Sequence, residues 1–269
     1  SMSVSSATMP SPPESLIANG SMDENMADFL QALVLARMNI VIEGGTGSGK
    51  TTLLNALSNF IPDGQRIITV EDTAELNLAK SHVLSLQSRP ANNEGKGEIT
   101  LQQLVINTLR QRPDRIVVGE CRGPEAFDML QAMNSGHDGS LTTTHANNPR
   151  AALDRLQNLV QMSRAGANMP PDAIMKIITE AVDFVVEIKR LPDGSRRVNN
   201  ICEVCGMQGN VPTVGSIMKF QKTGVDSNGR IKGEFRPTGS RIVSEDHKER
   251  FYSNGVEIKS SWFDNGGLW

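Results

Sequence analysis

The sequence predicts an α/β fold: a mostly parallel sheet flanked by helices, followed by a C-terminal antiparallel β extension. Three observations carry that expectation. Short β-branched runs alternate with helical spacings through the first two thirds of the chain, the pattern of parallel strands covered by helices on both faces. A glycine-rich loop joins the first of these strands to the helix after it. Beyond Ala181 the pattern changes to hairpins, with turn signals at Asp193-Gly194, Asn228-Gly229 and Asn254-Gly255. The chain has 269 residues, 38% hydrophobic and 21% charged, which suffices for a full core.

In chain order, residues 1–20 open with Ser1-Met2 and a Ser/Pro-rich run, read as a cloning remnant and a flexible linker. A helix is predicted over Glu24 to Met38, with Met26, Phe29, Leu30, Leu33 and Val34 on one side. A strand over Asn39 to Ile42 and a helix over Thr51 to Leu57 follow. Further strands are predicted at Arg66–Glu71, Arg115–Gly119 and Leu141–Thr144, and helices at Thr100–Arg112, Pro124–Met133, Arg150–Met162 and Pro171–Glu180. The core thus spans residues 21–182, and residues 183–269 form the hairpin-rich extension. Pro90 to Gly97 reads as a surface loop.

Composition narrows the function. A net charge of -3 and a pI near 5.9 argue against a dominant nucleic-acid-binding face. No apolar run reaches the length of a membrane span, and no signal-peptide core opens the chain. Three cysteines point to a reducing, cytosolic setting. Cys202 and Cys205 read as structural, since no second pair accompanies them and positions i and i+3 of a strand face opposite sides.

The run Gly44-Gly45-Thr46-Gly47-Ser48-Gly49-Lys50-Thr51-Thr52 satisfies G-x-x-x-x-G-K-[ST]. Its glycines let the loop turn tightly and aim backbone N–H groups at one anion. Lys50 is placed to reach the β- and γ-phosphates, and the Thr51 hydroxyl to complete a Mg²⁺ shell. A phosphate at the N-terminus of the following helix also gains from the helix dipole. Together with the alternating elements, this predicts a RecA-like P-loop NTPase core that binds ATP and Mg²⁺.

Further clusters are expected beyond the C-terminal ends of strands, where such a core places its active edge. Glu71-Asp72-Thr73-Ala74-Glu75 follows the second strand; its carboxylates either serve a nucleotide site or, in the case of Asp72, cap a helix. Val117-Val118-Gly119-Glu120 ends another strand, leaving Glu120 as the acid for Mg²⁺, with Gly119 where many P-loop enzymes have Asp and Arg122 close behind. Two segments bracket one short strand and carry His137 and His145. Each histidine is either a sensor of phosphate or neighbouring subunit, or a structural hydrogen-bonding group. Metal binding by the pair is not expected, because a strand separates them and no cysteine accompanies them.

These segments resemble the type II/type IV secretion ATPase family, most closely its Tad-pilus branch. The matching text runs from the glycine-rich loop through Val70-Glu71-Asp72-Thr73-Ala74-Glu75-Leu76 and Leu109 to Ile116. It continues with Gly119-Glu120-Cys121-Arg122-Gly123, Met129 to Ser140 and Thr144-His145-Ala146-Asn147. The resemblance implies that Glu75 activates water with Glu71 and Asp72 in support, and that Glu120 sits near Mg²⁺. It also implies that His137 and His145 couple nucleotide state to movement between subunits, and that Arg122 ties the turn after Glu120. Members of the family are hexameric rings that hydrolyse ATP and drive pilus assembly or secretion. They work at the cytoplasmic face of the inner membrane with platform proteins as partners, so no direct nucleic-acid partner is expected.

Family members also carry a domain ahead of the core that supplies arginines to the site. The short lead before Glu24 implies that this domain is absent here. An arginine given in trans contributes on the order of 10³ to 10⁵ in rate, so the expectation is nucleotide binding with slow turnover and no ring unaided. Two other readings stay open. One is a nucleotide-gated assembly module without essential turnover. The other is a DNA-transfer motor, which would want basic or aromatic channel residues that a chain with 4% aromatics and an acidic balance does not advertise.

Overall fold

The computed structural model describes residues 12–266. Among these residues nine strands make one sheet: β1 (Ile40–Gly44), β2 (Ile67–Glu71), β3 (Val83–Gln87), β4 (Arg115–Val118), β5 (Leu141–His145), β6 (Phe184–Arg190), β7 (Arg196–Gln208), β8 (Val211–Val225) and β9 (Ile231–Pro237). Their order is β3-β2-β4-β5-β1-β6-β7-β8-β9. Every pair from β3 to β6 is parallel, and every pair from β6 to β9 is antiparallel. The expected mostly parallel core with its antiparallel extension is therefore one continuous sheet.

Among the described residues, eight α-helices cover it: α1 (Pro12–Ala18), α2 (Glu24–Leu35), α3 (Lys50–Ser58), α4 (Leu101–Thr108), α5 (Glu125–Asn134), α6 (Pro149–Gln161), α7 (Pro171–Ala181) and α8 (Glu245–Ser253). Alternation along the strands builds two cores. Ile40, Ile42 and Val186 pack with Phe29, Leu33, Leu53 and Leu57 on one face. Val41, Val118 and Val185 pack with Leu130, Leu153 and Ile178 on the other. β1 is buried along its whole length, so a loop leaving its C-terminal end is anchored to the core.

Several elements differ from expectation. Within the stretch read as a linker, residues 1–11 lie outside the described residues, but Pro12–Ala18 is a helix with Leu16 buried. Proline is welcome in a first helical turn, where its missing N–H is no loss. The helix predicted to Arg112 stops at Thr108, since Arg112 precedes Pro113 and adopts left-handed geometry at φ 51°. Asn254-Gly255 is not a hairpin turn. It terminates α8, whose N-terminus is capped by the Ser244 hydroxyl, and Gly255 takes φ +67°. The Asp193-Gly194 and Asn228-Gly229 turns do join β6 to β7 and β8 to β9.

Candidate nucleotide-binding site

The loop between β1 and α3 turns through two positive-φ glycines, Gly47 at +70° and Gly49 at +100°. Gly49 is the N-cap of α3 and offers no side chain to its free N–H groups, so that end of the helix stays open to an anion. Lys50 Nζ donates to the carbonyls of Gly44 and Gly45, each at 3.0 Å. Burial pulls its ammonium below the usual lysine range, while Glu120 and Glu43 oppose that shift. Ser48 is buried with its hydroxyl unpartnered.

Two cavities meet over this loop. One, of about 350 Å³, is lined by the residues from Thr46 to Thr52 together with Glu120, Thr143, His145 and Arg196. The other, of about 190 Å³, is lined by Thr51, Glu71, Asp72, Glu75, Gly119, Glu120 and Arg122 among others. Thr51 and Glu120 border both. The fold thus brings together Gly47, Ser48, Gly49, Lys50, Thr51 and Thr52 with Glu71, Glu75, Glu120, Arg122 and His145. Gly44 and Gly45 form the base of the loop through their contacts with Lys50.

The carboxylates differ in what they can do. Glu71 is buried, and its Oε1 accepts the backbone N–H groups of Glu75 at 3.1 Å and Leu76 at 3.0 Å. It therefore holds the loop that carries Glu75. Glu75 remains exposed at the cavity wall. Asp72 pairs with Arg122 and accepts the Ser88 hydroxyl at 2.5 Å. The Arg122 and Gly123 N–H groups donate to Glu125 Oε1, so the turn after Glu120 is fixed from both ends. Gly119 gains a physical reason as well. A Cβ there would come within 3.1 Å of Glu71 Cγ, so any side chain at this position requires Glu71 to give way.

His137 is not part of this assembly. It precedes β5, whereas His145 ends it, and β5 runs parallel to β1. The strand rises about 16 Å between them, which puts His137 at the opposite edge of the sheet from the phosphate loop. Its loop is held there by Asn39, whose Oδ1 accepts the N–H groups of Gly139 and Ser140. The expectation that both histidines reach the active edge fails because a strand has two ends.

Sequence reasoning missed two features of the site. Arg196, from β7, donates from Nε to the Gly47 carbonyl at 2.9 Å. Glu43, the last strand residue before Gly44, is fully buried with both carboxylate oxygens unpartnered, and it lies in register with Glu187 of β6. Only the strand pairing reveals these neighbours. A charged residue inside an apolar strand was the one signal available.

The donor set suits a magnesium–nucleotide: an uncapped helix end, an ammonium now resting on carbonyls, an unpartnered buried hydroxyl, and a threonine beside a carboxylate. A parallel sheet with this loop at its centre defines a RecA-like P-loop NTPase core. The type II/IV secretion system protein family matches residues 6–249, and the chain belongs to that family. It is 38% identical over 203 residues to the conjugal transfer protein TrbB of Rhizobium radiobacter, covering 74% of this chain and 58% of the relative. It is 37% identical over 188 residues to the type IV secretion system protein VirB11 of Bartonella quintana, covering 70% and 52%. Among solved structures, the VirB11 ATPase of Brucella suis in complex with sulphate superposes with a TM-score of 0.61 at 34% identity, covering 71% of this chain and 54% of that one. The chain spans a little over half the length of these relatives. No helix among the described residues is long and apolar enough to cross a membrane.

Proposed function

We propose that this chain is the ATP-binding and ATP-hydrolysing motor domain of a type II/IV secretion or pilus-assembly machine. The observation that carries the reading is the shared wall of Thr51 and Glu120, which joins the phosphate-loop cavity to the cavity holding Glu75. The loop N–H groups and Lys50 grip the β- and γ-phosphates, and phosphate oxygens replace the two carbonyls on which Lys50 rests. Thr51 and Glu120 would hold Mg²⁺, which would supply charge neutralisation on the phosphate oxygens. Glu75 orients a water for in-line attack on the γ-phosphate and takes up its proton, giving ADP and phosphate. Glu71 positions Glu75, and Arg122 with Asp72 fixes the turn after Glu120. His145, at the cavity wall, senses the γ-phosphate.

Glu75, Arg122 and His145 are all exposed, so a single chain leaves the reacting end of its site open to water. That supports hydrolysis at a subunit boundary of a homo-hexameric ring, with a neighbour closing the site. It also supports slow turnover by the isolated chain. The machine's inner-membrane platform proteins are the proposed partners, at the cytoplasmic face, with a Tad-type pilus as the specific apparatus and without direct contact to nucleic acid.

Turnover measured against protein concentration, in wild type and Glu75→Gln, tests the reading. Wild-type turnover should rise with concentration. Glu75→Gln should bind ATP-γ-S normally while losing about 10²- to 10⁴-fold in rate, the usual weight of a general base. Equal turnover by the two proteins would remove Glu75 from the chemistry.

A further inference from the structure

The sheet order places every acid that lines the two cavities on one side of β1. Glu71 and Glu75 follow β2, Glu120 follows β4, and Thr143 and His145 belong to β5, all on the β5 side. A triphosphate lying along the loop with its γ end toward Glu75 must therefore direct its α-phosphate and nucleoside toward β6 and β7. The β6–β7 hairpin presents two arginines there. Arg196 lines the phosphate-loop cavity, bonds the Gly47 carbonyl, and sets its Cδ within 3.2 Å of where a Gly49 Cβ would stand. Arg190, from the facing strand, has Nη1 3.8 Å from the equivalent point on Gly47.

Both side chains are exposed, but the turn that joins their strands is held in place. Asp193 at the turn accepts the Ser195 N–H at 2.9 Å and the Ser195 hydroxyl at 2.5 Å through Oδ1, and the Ile231 N–H of β9 at 2.8 Å through Oδ2. Those bonds hold its carboxyl down at about 2, so the anchor is charged at any working pH. Arg196 meanwhile rests on a neutral carbonyl, whereas a phosphate oxygen would add opposite charge and the bidentate geometry that guanidinium–phosphate pairs take.

We propose that Arg196, with Arg190 beside it, binds the α-phosphate side of the nucleotide from the same chain that supplies the phosphate loop. The proposal rests on the ATP-binding reading and adds a residue to it. The side of the loop that the acids leave bare is thus closed in cis.

The test is equilibrium binding of Mg·ADP and Mg·ATP-γ-S to wild type, Arg196→Gln, Arg196→Lys and Lys50→Ala, with ligand-free melting run alongside. Arg196→Gln should weaken both nucleotides by a similar factor, roughly tenfold or more for one charged hydrogen bond. Its ligand-free melting midpoint should stay unchanged, and Arg196→Lys should recover part of the affinity. Wild-type affinity in Arg196→Gln, or a loss confined to ATP-γ-S, would overturn the assignment. Lys50→Ala separates the two ideas: if it binds both nucleotides as wild type does, the phosphate-loop reading fails first.

Discussion

β1 and β6 each begin beside one buried acidic cluster and end beside another, and the two are partnered in opposite ways. At the beginning, away from the phosphate loop, Asp183 accepts the Asn39 N–H at 2.7 Å and bonds His247 Nε2 at 3.1 Å and Arg250 Nη2 at 2.5 Å. Glu203 takes His247 Nδ1 at 2.8 Å and the N–H groups of Val243 and Ser244. A ring with both nitrogens on carboxylates is an imidazolium, and although burial opposes the charge, the two acids raise His247 to about 9. At the other end, Glu43 finds no hydrogen-bond partner, and Glu187 has Asn199 at 2.7 Å and an unaligned ion pair with Lys189 at 2.9 Å. Burial, then repulsion from Glu187, raises Glu43 to about 8 against the pull of Lys189 and Lys50.

The difference separates framework from working edge. The saturated cluster locks α8 to the start of β6 and, through Asn39, to the loop before β5. The starved one sits directly beneath the phosphate loop, where unsatisfied polar groups and strain accumulate in functional sites. Removing a partner from the saturated cluster should therefore do the greatest damage. Asp183→Ala strips Arg250 of its shortest ion pair and leaves the imidazolium on Glu203 alone, and should cost about 3–5 kcal/mol in denaturant unfolding at neutral pH. A cost near that of an exposed ion pair, below about 1 kcal/mol, would mean that the cluster locks nothing.

The starved cluster should respond in the opposite sense. The folded protein holds the Glu43 proton more tightly than the unfolded chain, because its carboxyl is raised from 4.5 to about 8. That contribution is complete below the lower value and is lost as pH climbs to the higher one. Glu43→Gln cannot titrate, so its stability relative to wild type should increase by about 1 kcal/mol per pH unit across that window. His247 adds a decline of the same sign, complete below 6.5 and lost through about 9, but it is common to both proteins and cancels. A flat difference between the two would show that Glu43 does not retain its proton.

The sequence made some of this plain and hid the rest for physical reasons. The phosphate loop, the strands around it and the acids at Glu71, Glu75 and Glu120 are local patterns, legible because spacing along the chain fixes their geometry. Edge strand β3 was overlooked because its half-exposed residues carry no apolar run. Asn254-Gly255 misled because left-handed backbone serves a helix end as well as a hairpin. Glu43 beside Glu187, and Arg196 over Gly47, depend on register between distant strands, about which local pattern is silent. His137 shows the same limit: motif adjacency suggested one site, and the direction of β5 split it.

The central claim is that the loop from Gly44 to Thr52 grips polyphosphate through Lys50, and thermal melting of wild type and Lys50→Ala with and without Mg·ATP-γ-S tests it most directly. With ligand at a hundredfold over its dissociation constant, the wild type should gain about 2.7 kcal/mol, visible as a raised midpoint, while Lys50→Ala should not move. No rise in the wild type, or an equal rise in both proteins, would contradict the account.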